Sequence, residues 1–206
     1  MNTPTDSRTR IIDAATELFY QKGFEAAGLQ LICKQAAVSK SSFYHFFPSK
    51  DDLAITVIDS RWLQARQGYQ ALLDSPLSAL EKIEASFEML FSHAESIADR
   101  GGEMYGCPFG NIGSELSTSN PAVREHLITI FNELIATYRQ LIEQAQAQGS
   151  LAAALNSQES AESLVTLMQG LSIIGKIYND PARMRRSGEY ALQLLLKNSF
   201  NQCLEP

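Results

Sequence analysis

Residues Leu29 to Phe47, LQLICKQAAVSKSSFYHFF, constrain this chain more than any other stretch. Two short runs with helical spacing, Leu29-Ile32-Cys33-Ala36 and Lys40 to Phe46, are separated by only Ala36-Ala37-Val38, and so short a connection makes two helices cross steeply. Crossing helices need apolar side chains where they face each other and small ones where they touch. Ile32, Ala36, Val38, Phe43 and Phe46 supply the first, Cys33 and Ala37 the second. Ser39 is placed to cap the second helix, and Pro48 stops it because proline cannot continue the hydrogen-bond ladder.

What faces outward is Lys40, Ser41, Ser42, Tyr44 and His45. Lysine can donate to guanine or phosphate, serine hydroxyls to base edges or phosphates, tyrosine and histidine to phosphate oxygens. A helix of about seven residues is ~10 Å long and fits a ~12 Å major groove. Leu29, Lys40 and Lys50 each begin a helix whose first amides point outward, where a phosphate can sit, and the Ser39 hydroxyl lies beside them. The chain is acidic overall, with 17 Lys+Arg against 23 Asp+Glu and a formal charge of -6. Yet Ala26 to Lys50 holds three lysines and no carboxylate, and local charge matters more than the total. A merely solvated Ser/Lys/Tyr face is the ordinary alternative; turn length, crossing residues and the acid-free window together favour double-stranded DNA.

The rest of the chain also reads as helix, which makes the protein all-α with about nine helices. Ile11, Ala14, Ala15, Leu18 and Phe19 form the stripe of a first helix that Gly23 ends. Ser49-Lys50-Asp51-Asp52 resembles a capping box and opens a fourth helix that runs to about Asp74. Ser75-Pro76 and Asn120-Pro121 each pair a capping residue with proline, which predicts helices over 76–99 and 121–148. A short helix follows Pro108, and two strongly apolar helices run from Ser157 to Tyr178 and from Pro181 to Cys203, the last carrying Phe200. The organisation expected is a helix-turn-helix DNA-binding domain over 1–50 and a helical ligand-sensing and dimerisation domain over 51–206.

Several function classes have no support. No apolar run reaches the ~18–20 residues of a membrane span, and the start MNTPTDSRTR lacks a secretory apolar stretch, which points to the cytoplasm. Cys33, Cys107 and Cys203 are scattered without C-x-x-C spacing, so neither a disulfide framework nor a metal site is expected, and no cofactor either. Phosphate-binding glycine patterns, G-x-S-x-G and H-E-x-x-H are absent, and His45, His93 and His126 are far apart in sequence, so an enzyme is not expected.

The N-terminal quarter resembles the TetR family of bacterial transcriptional regulators. The likeness lies in Arg10-Ile11-Ile12-x-Ala14-Ala15-x-x-Leu18-Phe19, then Gly23-Phe24, then Ala37-Val38-Ser39-Lys40-x-x-Phe43-Tyr44-x-x-Phe47-x-x-Lys50-x-x-Leu53. It implies that Lys40 to Phe46 is the recognition helix, that Tyr44, His45 and Lys50 lie near phosphates, and that homodimers bind a near-palindromic operator. It also implies a small-molecule inducer and repression as the default. Two positions depart from the family pattern. Gly28 stands where a Ser or Thr commonly caps the second helix, and Ala37 replaces the turn glycine, where a left-handed alanine costs roughly 1 to 2 kcal/mol.

A single short recognition helix is too weak to select one genomic site, so two copies must be held ~34 Å apart. The two last helices are the expected interface, through Leu164, Met168, Leu171, Gly175, Gly188, Ala191 and Leu195, with Gly170 also able to permit close approach. Plain intradomain core is the competing account of these residues. The middle helices offer an apolar ligand cavity with Trp62, Phe87, Phe91, His93, Tyr105, Cys107, Phe109, Asn111, Tyr138 and Met168 as candidate lining. Ligand binding would shift the fourth helix like a lever and respace the recognition helices. Two alternatives stay open: a thiol-based redox or electrophile sensor of the same fold through Cys107, which precedes a helix start, and a helical ligand-binding protein without DNA activity.

Overall fold

A computed structural model describes the backbone of residues 6–201 and the side chains of residues 6–196. Cys203 and the side chain of Phe200 lie outside the described residues. Among those described there are nine α-helices and no strand: α1 (Ser7–Lys22), α2 (Leu29–Gln35), α3 (Lys40–Phe46), α4 (Lys50–Leu73), α5 (Ala79–Asp99), α6 (Pro108–Leu116), α7 (Pro121–Ala147), α8 (Ser157–Tyr178) and α9 (Pro181–Asn201).

The chain packs as two compact units, one of Met1–Ala65 with Cys107–Thr129, the other of Arg66–Gly106 with Ile130–Pro206. Neither follows a single cut in the sequence near residue 50. In the first unit, α1 buries Ile11, Ala14, Ala15, Leu18 and Phe19, which stand three and four apart on one face. Gly23 ends the helix at φ 88, and its N–H donates to the Phe19 carbonyl over 3.1 Å. Ile32, Phe43, Leu53 and Ala15 have no exposed surface, so α1, α2, α3 and the start of α4 share one small core. In the second unit α9 packs on α5 and α8, around the fully buried Ile83, Phe87 and Leu164.

Helix ends follow local chemistry. The Ser39 Oγ accepts from the Ser42 N–H at 3.1 Å, and the Asn120 side chain accepts from the Val123 N–H at 3.1 Å. Ser49 and Asp52 cap the start of α4 reciprocally, the Asp52 N–H donating to Ser49 Oγ at 3.0 Å and that hydroxyl donating to the Asp52 carboxylate at 2.6 Å. One start differs from the pattern predicted by Ser75-Pro76. Ser78 begins α5, because it forms a complete capping box with Glu81 that satisfies two amides at once, whereas the Ser75 hydroxyl donates back to the Leu72 carbonyl at the end of α4.

The turn between α2 and α3 has the strained alanine foreseen in the sequence. Ala37 lies at φ 51, the left-handed region that favours glycine. The geometry is held by paired bonds from Val38 N to the Cys33 carbonyl (3.0 Å) and from Ala37 N to the Lys34 carbonyl (3.3 Å), the six-to-one and five-to-two pattern that closes helix C-termini.

Candidate functional site

Phe43 fixes the orientation of α3. Its ring is completely buried, against Phe47 at 5.8 Å between centroids, so the rest of this two-turn helix has no freedom to roll. Lys40, Ser41, Tyr44 and His45 are consequently all exposed on one face, with Tyr44 at 56%. Ser42 is half-buried. The Ser39 hydroxyl is committed to capping and is paired with Ser41 Oγ at 2.8 Å. Leu29, half-buried, opens α2; Gly28 before it forms no side-chain cap, which leaves the first amides of α2 without a local side-chain acceptor.

Lys50 has a role the sequence did not disclose. Its ammonium donates to the Phe24 carbonyl at 2.9 Å and lies 3.9 Å from the centroid of the Phe24 ring. The lysine is thus tied to the turn between α1 and α2. On the other side of that turn, the Glu115 carboxylate of α6 accepts from the N–H of Phe24 (3.0 Å) and of Glu25 (2.9 Å). Asn120 donates to the Asp51 carboxylate at 2.8 Å, and His126 stands 3.6 Å from that of Asp59. The turn that leads into α2 therefore rests on α6, while the start of α7 holds α4.

The ligand candidates divide between the two units. In the first, Trp62 meets Phe109 edge-on at 6.0 Å, and Trp62, Cys107, Phe109 and Asn111 are all half-buried. Cys107 occupies the N-cap position of α6 without a side-chain cap bond. In the second, Phe87, Phe91, Tyr138 and Met168 are buried, Tyr105 is half-buried and His93 is exposed on α5. The Tyr138 hydroxyl is shared with Ser86 Oγ at 2.7 Å and donates to the Met168 sulfur at 3.1 Å; complete burial holds this phenol well above its ordinary pKa. Phe87 and Phe91 also reach a groove of about 460 Å³, whose other walls include Leu80, Leu151, Leu192 and Leu196. Tyr138 and Met168 do not line it.

The residues expected at a dimer interface are placed inward. Leu164, Met168, Leu171, Gly175 and Gly188 are buried within the chain, and Ala191 and Leu195 are half-buried. A Cβ on Gly188 would stand 2.5 Å from Phe91 Cζ, and one on Gly175 2.8 Å from the Met184 sulfur. The apolar surface that these helices leave uncovered is a different stripe: Ile173, Ile174, Ile177 and Tyr178 on α8, with Tyr190 and Leu194 on α9. Gly170, with nothing within 4 Å of a built Cβ, continues it. The signal was present in the sequence as a second three-and-four spacing along α8.

Residues 11–57 match the family model described as bacterial regulatory proteins, tetR family, and residues 79–190 match the tetracyclin repressor-like C-terminal domain. The chain belongs to the TetR family. Among TetR-family relatives, the transcriptional regulator AcuR of Cereibacter sphaeroides is 32% identical over 168 residues, which are 81% of this chain and 75% of AcuR. The transcriptional repressor DhaR of a Mycobacterium species is 25% identical over 96% of each chain. The crystal structure of a regulatory protein TetR from Rhodobacter sphaeroides superposes with a TM-score of 0.81 at 27% identity, covering 92% of this chain and 98% of that one. The protein is accordingly a TetR-family transcriptional regulator with a helix-turn-helix DNA-binding domain. No helix among the described residues is long and apolar enough to cross a membrane.

Proposed function

We propose that this TetR-family chain is a homodimeric repressor acting in the cytoplasm, released from a near-palindromic operator by a small-molecule inducer, with no catalytic role of its own. The observation that carries the reading is the outward face of α3: Lys40, Ser41, Tyr44 and His45 are exposed together on a helix whose rotation is fixed by Phe43. These four side chains read the groove and its phosphates. Lys50 acts from behind, through Phe24.

Self-association uses the exposed stripe from Gly170 through Ile177 and Tyr178, joined by Tyr190 and Leu194. Ile177 and Tyr190 are 68% and 66% exposed, more apolar surface than a solvated helix pair normally carries. The inducer is read at the half-buried Trp62, Phe109 and Asn111, because packed residues such as Phe87 and Tyr138 have little surface left to offer. A ligand that favours one conformation by ~1 to 3 kcal/mol changes operator affinity between about fivefold and a hundredfold.

The test is an unbiased selection of genomic fragments by the purified protein, followed by mobility shift and mass measurement. The expected result is a dimer with one preferred, near-palindromic sequence. A strictly monomeric protein, or one without fragment preference, overturns the reading.

A further inference from the structure

The Phe24 peptide unit is gripped from two directions. Its N–H is held by the Glu115 carboxylate of α6 and its carbonyl by the ammonium of Lys50, four residues beyond the end of α3. Its ring is buried, 5.2 Å from that of Phe19 and beneath the same ammonium. The neighbouring Glu25 N–H binds the second oxygen of Glu115. Gly23 makes room for this: at φ 88, a Cβ there would lie 2.8 Å from Glu115 Oε1. Downstream of the turn is Gly28, which starts α2 without a side-chain cap. A helix that starts on an uncapped glycine needs its approach fixed by something else, and here two bonds to a carboxylate 90 residues away do so.

We propose that Glu115 is a positioning residue for DNA binding: through Phe24 it sets α2 and, with Lys50, α3, so that operator affinity depends on this carboxylate although it touches no DNA. The same helix begins at Cys107-Pro108 and carries Phe109 against Trp62, so α6 holds two of the ligand candidates near its start and Glu115, which grips the turn of the DNA-binding domain, near its end. This rests on the operator-binding reading above and adds a residue that positions the helices carrying it out.

The experiment uses the full-length protein, the Glu115→Ala and Glu115→Gln variants, and the fragment recovered by the wild type in genomic selection. Operator affinity, affinity for a scrambled duplex of equal length, and amide hydrogen exchange over residues 23–28 are measured where circular dichroism shows each variant folded. Glu115→Ala is expected to bind operator about tenfold more weakly. Its scrambled-duplex affinity is nearly unchanged, and exchange accelerates at Phe24 and Glu25 but not in α5 or α8. Glu115→Gln keeps one acceptor oxygen and falls between; it carries the test if the alanine variant does not fold. A merely structural role would instead raise exchange throughout and lower both affinities together, which overturns the proposal. So does wild-type operator affinity in a folded Glu115→Ala protein. If the wild type itself recovers no preferred fragment, the operator-binding reading fails first, a result distinct from either of these.

Discussion

Arg185 on α9 forms a two-pronged ion pair with Glu88 on α5, Nη1 to Oε2 at 2.6 Å and Nη2 to Oε1 at 2.8 Å. The same guanidinium takes both oxygens of Glu95, one turn pair further along α5, at 2.6 and 2.9 Å. Such fork geometry is stronger than an ordinary surface pair, and the Arg185 side chain is only a quarter exposed. Hydrogen bonding from Arg185 pulls the Glu88 carboxyl from its ordinary 4.5 down to about 2, and Glu95 is lowered by the same cause.

The sign of the pH dependence follows. Carboxylates with depressed folded-state pKa values stabilise fully above their unfolded value, and the contribution disappears as pH falls through the folded value. Arg185→Ala is therefore expected to lower Tm by about 2–4 °C between pH 6 and 8. The gap to wild type should narrow between pH 4.5 and 2, the window set by Glu88, leaving only what Arg185 contributes by stacking on Phe91. Thermal melts of both proteins across that range check it, and a gap of unchanged size at the acid end contradicts it.

Ala37 holds a backbone conformation that suits glycine. Ala37→Gly should stabilise the fold by about 0.5–1 kcal/mol, less than the full left-handed penalty because glycine also loosens the unfolded chain. Operator affinity should be kept. Urea denaturation monitored at the α-helical signal measures the gain.

On α3, Lys40→Ala and Tyr44→Ala remove exposed side chains and should leave Tm within a degree or so of wild type, yet weaken operator binding. Loss of the Lys40 charge should reduce the slope of log affinity against log salt by about one. Lys50→Ala should behave otherwise, lowering stability as well as affinity, since its ammonium grips Phe24. Titrations at several salt concentrations beside thermal melts separate the two behaviours.

The glycines of α8 and α9 give opposite outcomes. Gly188→Ala forces a methyl to within 2.5 Å of the buried Phe91 ring and should cost about 1–3 kcal/mol. Gly170→Ala meets nothing within 4 Å in the chain, so the isolated fold should tolerate it. Ile177→Asp, on the same exposed stripe, should give a folded monomer in gel filtration that no longer binds operator; a variant that remains dimeric would remove this stripe from the interface.

What the sequence disclosed was what is local. Ser39, Pro48, Asn120 and the spacing of Ile32 and Phe43 act on neighbours within a turn or two, so the helices and the outward face of α3 were legible from residue order. Ser75-Pro76 misled because two caps three residues apart compete, and only Ser78 has a Glu81 to answer it. On α8 the inward stripe of Leu164, Met168 and Leu171 and the outward one of Gly170, Ile173 and Ile177 share a period and differ only in phase. Nothing in periodicity tells which stripe a protomer keeps for itself. Glu115 was illegible for another reason: a lone carboxylate on a short helix resembles any solvated residue until a partner 91 positions away is brought to it.

The unit that holds the helix-turn-helix includes Cys107–Thr129 as well as Met1–Ala65, and this bears on how regulators of this kind can be recombined. A chimera spliced after the N-terminal family segment would give the grafted reading head a foreign α6, with no carboxylate guaranteed beneath Phe24 and no asparagine beside Asp51. Functional exchange between relatives would then have to carry two stretches of gene together, and the joints belong inside α4, just before α6 and inside α7, where the polypeptide passes from one packed unit to the other.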